Sequence, residues 1–244
     1  LGVLIFLGGL GVAIVGDALG KRRWSRLALE TKLVLSTTVV LLLAGTSALL
    51  VFEWSNPETL GALAPPLRPL NALFESVSFR TAGMSTIPIG ELSDSSLISA
   101  IALMFIGGAS GSTAGGIKIT TFAILLFTII STVRGRSFTE AFGRRVTTEV
   151  VARALSVALL AVAIVFTGAL ALEVTGAQGT FIQIAFETVS AFATVGHTTG
   201  ITPSLGDPSL IVLVVAMFVG RLGPLTLVLA LSARAKPVPY RPAV

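Results

Sequence analysis

Apolar and polar residues fall along this chain in long blocks, not at the short periods of a soluble helix or strand. Leu1 to Gly16 is apolar and runs into Asp17 and a basic stretch, Lys21, Arg22, Arg23, Arg26 and Lys32. Leu33 to Glu53 follows, 21 residues with no charge before the last. A helix of that length crosses ~30 Å of hydrocarbon at ~1.5 Å per residue. Between Glu53 and Asp94 five acids (Glu53, Glu58, Glu75, Glu91, Asp94) face two bases, Arg68 and Arg80, among Pro57, Pro65, Pro66 and Pro69. Ser95 to Val133 is apolar apart from Lys118 and ends at Arg134, Arg136, Arg144 and Arg145. Val150 to Leu172 carries only Arg153, Glu173 to Asp207 has three acids and no Lys or Arg, and Ser209 to Ser232 leads to Arg234, Lys236 and Arg241. Basic loops therefore alternate with acidic ones, which puts the basic loops on the cytoplasmic side of a polytopic, all-α membrane protein.

Two apolar segments do not fit a full crossing. Pro69 to Phe79 and Thr180 to Phe192 are 11 and 13 residues, ~17 to 20 Å as helices. Each lies between two outer ends, so the chain is expected to dip into the membrane and return. The segments also repeat. Phe74-Glu75-Ser76-Val77-Ser78 recurs as Phe186-Glu187-Thr188-Val189-Ser190 at an offset of 112, and Thr81-Ala82-Gly83 recurs as Thr194-Val195-Gly196 at 113. Met104-Phe105-Ile106-Gly107 recurs as Met217-Phe218-Val219-Gly220, again at 113, and Phe6-Leu7-Gly8 resembles a third copy. The expected organisation is a helix tail over 1–16, a cytoplasmic loop over 17–32 and a helix-pore-helix unit over 33–134. A loop over 135–149, a final unit over 150–233 and a cytoplasmic tail over 234–244 complete it.

A half-helix entering from outside points its partly negative C-terminal end at the membrane centre, which favours a cation there. The loop behind it then supplies carbonyl oxygens, with Gly83 or Gly196 giving the backbone freedom to aim them. Thr81, Ala82, Gly83 and Met84 with Thr194, Val195, Gly196 and His197 are accordingly the candidate selectivity filter. Gly61 and Gly176, in outer turns, are expected to accept a side chain.

Composition narrows the alternatives. Of 244 residues 53% are hydrophobic and 12% charged, and the mean hydropathy is +0.93, which excludes an ordinary soluble domain. The net charge of +5 sits in the loops between apolar blocks, so nucleic acid is not an expected partner. With no Cys and one His, thiolate and multi-histidine metal sites are excluded, and no bound cofactor is expected. Leu1 stands inside an apolar run with no initiator Met, so the chain is expected to be a fragment of a longer protein.

Ser95 to Val133 would be ~58 Å as one helix, and its Gly-rich stretch from Gly107 to Gly116 is where it should break. Lys118 and Arg221 are charges inside apolar runs, expected to be functional and partnered. Arg80 is expected in an ion pair behind the filter, and Glu75 and Glu187 are expected to bond filter-loop amides. Gly111 to Lys118 spaces its Lys one residue too far for a phosphate loop. Gly108-Ala109-Ser110-Gly111 matches the G-x-S-G of rhomboid intramembrane proteases, with His197 as the base. That pairing puts Ser110 ~22 Å down its helix, and it leaves the duplication unexplained. A secondary transporter with discontinuous helices is the other alternative.

Ser78 to Thr86 (SFRTAGMST), Gly107 to Lys118 (GGASGSTAGGIK), Ala193 to Gly196 (ATVG) and Gly220 to Pro224 (GRLGP) together resemble the Trk/Ktr/HKT potassium transporter superfamily, and most of all its bacterial TrkH and KtrB membrane subunits. The resemblance implies four helix-pore-helix units with four-fold pseudosymmetry around one pore, of which this chain holds the last two and the end of the second. It implies K+ at the filter residues and a gating loop formed by Gly107, Gly108, Ala109, Ser110, Gly111, Ser112, Thr113, Ala114, Gly115 and Gly116. Arg221 is implied below the filter, facing that loop. A homodimer in the cytoplasmic membrane and a nucleotide-binding regulatory subunit like TrkA or KtrA are implied as well. His197 stands where the family more often has an apolar residue.

Overall fold

A computed structural model of the chain describes residues 1–21, 23–112 and 114–223. Arg22, Thr113 and everything from Pro224 on, including Arg234, Lys236 and Arg241, lie outside the described residues. The chain opens with α1 (Gly2–Leu10) and α2 (Val12–Lys21), bent by 93°. The expected single tail over 1–16 is therefore two helices. The bend falls at Gly11, whose φ of 76° is open to glycine at little cost. A Cβ there would lie 3.3 Å from the Ser110 carbonyl oxygen, so the bend is seated against a loop a hundred residues later. Asp17 anchors its far side: Oδ2 accepts from the Ala28 N–H at 2.9 Å and the Thr31 hydroxyl at 2.6 Å, and Oδ1 pairs with Lys21 at 2.6 Å.

α3 (Leu29–Glu53) follows, then the short α4 (Arg68–Ser78), α5 (Asp94–Phe105) and α6 (Ile119–Val133). α7 (Thr148–Val174), the short α8 (Phe181–Phe192) and α9 (Asp207–Leu222) repeat the pattern, with no break described in α9. Among the described residues, α3 and α7 are by themselves long and apolar enough to cross a membrane. The 39-residue apolar block does break, with the chain leaving helix between Phe105 and Ile119. The all-α expectation needs one correction: Glu140–Ala141 (β1) pairs antiparallel with Arg144–Arg145 (β2). Phe142 and Gly143 between them have φ of 50° and 73°, the two positive angles of the tight turn whose twist matches a hairpin.

Local signals account for several helix starts. Ser93 caps α5 by accepting the Ser96 N–H, Thr180 and Gln183 form a reciprocal capping box on α8, and Pro208 occupies the first turn of α9. The helices then pack α3 on α4, α5 on α8 and α8 on α9. A single apolar cluster containing Phe79, Met104, Ile119, Phe186 and Phe192 joins the two halves, so both short helices are held in one core.

Gly61 does not behave as expected. Its N–H donates to the Asn56 carbonyl oxygen at 2.9 Å, and a Cβ would run into that same oxygen. Gly176 has open space around it, but its φ of 83° still disfavours a side chain.

Glu53, fully buried at the end of α3, ties that end to the start of α5. Oε1 accepts from the Ser93 N–H at 2.9 Å, the Ser93 hydroxyl at 2.7 Å and the Ser96 hydroxyl at 2.5 Å. Oε2 accepts from Asn56 Nδ2 at 2.7 Å and the Thr59 hydroxyl at 2.6 Å. Glu53→Ala would strand those donors in a buried site and should cost about 3 kcal/mol. The exposed Glu173, at the end of α7, should cost within about 0.5 kcal/mol on the same change. Thermal unfolding of the detergent-solubilised protein compares the two.

Candidate functional site

The loops after α4 and α8 are built alike. Each short helix ends and the chain turns back at a threonine in a left-handed conformation, Thr81 at φ 74° and Thr194 at φ 53°. Two residues on, Gly83 and Gly196 are left-handed as well, at 67° and 95°. A β-branched residue at positive φ is a strained outlier, and it occurs at equivalent positions of both copies. The pair of threonines is a feature that sequence reasoning, which gave the special angles to the glycines, did not find.

Side chains of the short helices hold these loops. Glu75 Oε1 accepts from the Thr86 N–H at 2.6 Å, the Thr86 hydroxyl at 2.9 Å and the Ser85 hydroxyl at 2.9 Å. Glu187 Oε1 does the same for the Thr199 N–H at 2.8 Å, the Thr199 hydroxyl at 3.0 Å and the Thr198 hydroxyl at 2.7 Å. The expectation that both glutamates bond loop amides holds. The copies differ in the second oxygen: Glu187 Oε2 takes the Thr202 hydroxyl at 2.7 Å, whereas Glu75 Oε2 is buried with no partner among the described residues. Ser78 and Ser190 close the loops from inside. Ser78 Oγ donates to the Met84 carbonyl and accepts the Met84 N–H, and Ser190 Oγ donates to the His197 carbonyl at 2.6 Å. The serines were visible in the repeated Glu-x-Val-Ser sequence, but nothing local gave them this task.

The two loops touch. A Cβ on Gly83 would run into the Val195 carbonyl oxygen and lie 3.3 Å from Gly196 Cα. Gly83 thus stands beside Val195 and Gly196, though the two loops are more than a hundred residues apart in sequence.

The Gly-rich segment lies against the second loop. A Cβ on Gly115 would be 2.5 Å from Thr194 Oγ1 and 2.7 Å from the Ala193 carbonyl oxygen, and one on Gly116 would be 3.2 Å from Ala193 Cβ. The segment is pinned at both ends: Gly107 N–H donates to the Ile117 carbonyl at 2.9 Å, Ile119 N–H to the Gly108 carbonyl at 3.1 Å, and Ala109 N–H to the Gly9 carbonyl at 2.9 Å. Its middle, Ser110 and Gly111, is exposed, while Gly107, Gly108, Ala109, Ala114, Gly115 and Gly116 are buried. Thr113 belongs to the expected set but lies outside the described residues. Lys118 folds back on the segment, Nζ donating to the Ala114 carbonyl at 2.6 Å, and the Arg221 guanidinium is near enough for the two charges to repel.

Arg80 is not in the expected ion pair. Its Nε is buried without a hydrogen-bond partner among the described residues, and the two ion pairs found there, Asp17 with Lys21 and Arg136 with Glu140, lie elsewhere. Among the described residues no carboxylate comes within ion-pair distance of it. The serine–histidine pair of a protease is not assembled either: Ser110 Oγ faces Thr120 Oγ1 at 3.3 Å and His197 Nε2 faces Ser78 Oγ at 3.1 Å. No group of three or more His, Cys, Asp or Glu able to hold a metal occurs among the described residues.

Residues 20–237 match the TrkH family, described as cation transport protein. The chain belongs to that family. TrkH proteins are transporters, not enzymes. The chain is 39% identical over 229 residues to the Ktr system potassium uptake protein B of Bacillus subtilis, covering 94% of this chain and 51% of that protein. It is 38% identical over 235 residues to the potassium/sodium uptake protein NtpJ of Enterococcus hirae, covering 95% of this chain and 52% of the relative. The fold is that of the crystal structure of the potassium transporter TrkH from Vibrio parahaemolyticus, with a TM-score of 0.74 at 20% identity over 94% of this chain and 50% of that one. The chain thus spans about half the length of the relatives it matches.

Of the three equivalent glycines in this TrkH family member, Gly107 and Gly220 carry close approaches and Gly8 does not. A Cβ on Gly220 would run into the Phe192 carbonyl oxygen, whereas one on Gly8 meets nothing within 4 Å. Gly220→Ala should therefore wedge α9 from α8 at about 1–3 kcal/mol and lower the monodisperse yield in size-exclusion chromatography. Gly8→Ala should leave that yield unchanged.

Proposed function

We propose that this chain supplies two helix-pore-helix units, 33–134 and 150–233, of a pore that conducts K+ into the cell across the cytoplasmic membrane. The observation that carries the reading is the contact between two loops of the same build, each with a left-handed threonine and a left-handed glycine two residues on. Alternating the backbone hand at successive residues lets neighbouring carbonyls face one side, which is what a filter that replaces the hydration shell of K+ needs. The C-terminal ends of α4 and α8, partly negative, both open onto these loops and favour a cation there. Four-fold pseudosymmetry of the full-length protein follows if two further units complete the ring. The names of the relatives, one for potassium and one for potassium with sodium, agree with an alkali cation as the cargo.

In this reading residues 107–116 gate the pore. They lie against Thr194 and Ala193, expose Ser110 and Gly111, and carry Lys118 at one end with Arg221 near it, two positive charges that oppose a passing cation. The basic loops over 17–32 and 135–149 face the cytoplasm, and the homodimer and the nucleotide-binding regulatory subunit that the family resemblance implies belong to the same reading. Carriers with discontinuous helices commonly bind substrate between inverted copies, whereas two copies that enter from the outside in the same sense favour a shared axial pore.

Rb+ and Na+ uptake by the full-length protein, in cells lacking their own K+ uptake, tests the filter. A side chain at Gly83 or Gly196 meets positive φ, and at Gly83 the Val195 carbonyl as well. Gly83→Ser and Gly196→Ser should each lower the Rb+-to-Na+ preference by about tenfold or more, and an unchanged preference in both rules out the filter. Deleting 108–115 should raise basal flux severalfold with the preference kept, and unchanged or absent flux through correctly inserted protein counts against the gate.

A further inference from the structure

His197 is the chain's one histidine, and it reaches from one loop to the other. Its side chain is buried, 4% exposed, with Nε2 3.1 Å from Ser78 Oγ, 119 residues away on α4. Its ring packs on Phe79, centroids 5.0 Å apart at 58°. The protonation pattern follows from counting hydrogens. The single Ser78 hydroxyl hydrogen goes to the Met84 carbonyl, and the Met84 N–H donates to Ser78 Oγ at 3.0 Å. The imidazole must therefore bring the proton, so Nε2–H donates and Ser78 Oγ accepts.

This bond joins what each loop's own hydrogen bonds leave separate. Ser190 holds the backbone of His197 at its carbonyl, Ser78 holds the backbone of Met84, and the imidazole links one serine-closed loop to the other. Met84, which stands at the matching position of the first loop, is 47% exposed and makes no such crossing among the described residues. Beside the link lies the closest approach of the two loops, Gly83 against the Val195 carbonyl.

We infer that His197 is a positioning residue for ion selection, a strut that fixes the spacing of the two loops. The inference rests on the filter reading above. A ring of carbonyls that is free to contract follows a smaller cation and discriminates poorly against it. One that is held at the width suited to K+ leaves Na+ under-coordinated. A hydrogen-bonded strut between adjacent loops resists that contraction, and an apolar side chain at the same place fills the space without resisting it.

The test is Rb+ and Na+ uptake by the full-length protein, normalised to the amount recovered as a monodisperse peak. His197→Leu should lower the Rb+-to-Na+ preference by about fivefold, the scale of one net hydrogen bond. His197→Gln, whose amide nitrogen stands where Nε2 stood, should restore it to within about twofold of the original. His197→Asn, too short to reach Ser78, should behave as Leu does and serves if the Leu variant fails to accumulate. Ser78→Ala removes the bond to His197 together with both bonds to Met84, so adding His197→Leu to it should lower the preference no further than Ser78→Ala alone. If His197→Leu and His197→Asn keep the preference while Gly196→Ser loses it, the filter stands and the strut falls. If Gln fails as Leu does, the ring only fills space and the strut falls too. If Gly83→Ser and Gly196→Ser also keep the preference, the filter reading beneath it has failed.

Discussion

Two buried carboxylates, Glu75 and Glu187, carry the arrangement on which everything else in this chain depends. Backbone that leaves helical geometry inside an apolar shell must find partners for its N–H groups without water, because an unpaired one costs as much as a lost hydrogen bond. Each glutamate reaches from its short helix to the amide and hydroxyl of the threonine that ends the loop, Thr86 or Thr199. Each loop is thereby tied across a span of 11 or 12 residues, and the left-handed Thr81, Gly83, Thr194 and Gly196 can persist. Strain at Thr81 and Thr194 is offset by bonds made elsewhere, the usual pattern at a site that must be built before its ligand arrives.

Placing two such loops side by side then requires backbones to pass within van der Waals contact, which explains where glycine is spent. Gly83 admits the Val195 carbonyl, Gly220 the Phe192 carbonyl and Gly107 the Gly115 carbonyl. Gly107 and Gly220 occupy the same place in the repeat, yet they admit different neighbours. At Gly107 the helix has ended and the chain's own Gly-rich segment fills the gap. At Gly220, α9 is still helical and the end of α8 fills it. One sequence position thus serves a packed helix in one copy and a loop in the other, and the loop is the copy that lies against Thr194.

The copies are also unequal in their charges. Glu187 satisfies both oxygens because Thr202 is within reach, while the matching position of the first copy is Ile89 and Glu75 Oε2 goes without. Arg80, on the same side, has a buried Nε without a hydrogen-bond partner and makes no ion pair among the described residues. Among the described residues the unsatisfied polar atoms thus gather on the first copy, with Thr38 and Thr46 of α3 among them.

What the sequence by itself determined is whatever follows from local pattern: the apolar blocks, the two segments too short to cross, the repeat at 112 and 113, the broken helix and the glutamates at matching places. Hydrophobic length, helix rise and the cost of an unpaired amide act within a few residues, so they are legible one window at a time. The 93° bend at Gly11, the hairpin over 140–145, the crowding around Gly61, the left-handed threonines, the lack of an ion pair at Arg80 among the described residues and the reach of His197 to Ser78 were decided by tertiary structure. Each depends on which distant backbone or side chain arrives alongside. The Ser110 carbonyl seats Gly11, and the first short helix, 119 residues earlier, gives His197 its acceptor. Such encounters are set by how the helices pack around one core, which a residue's own neighbours in sequence do not encode.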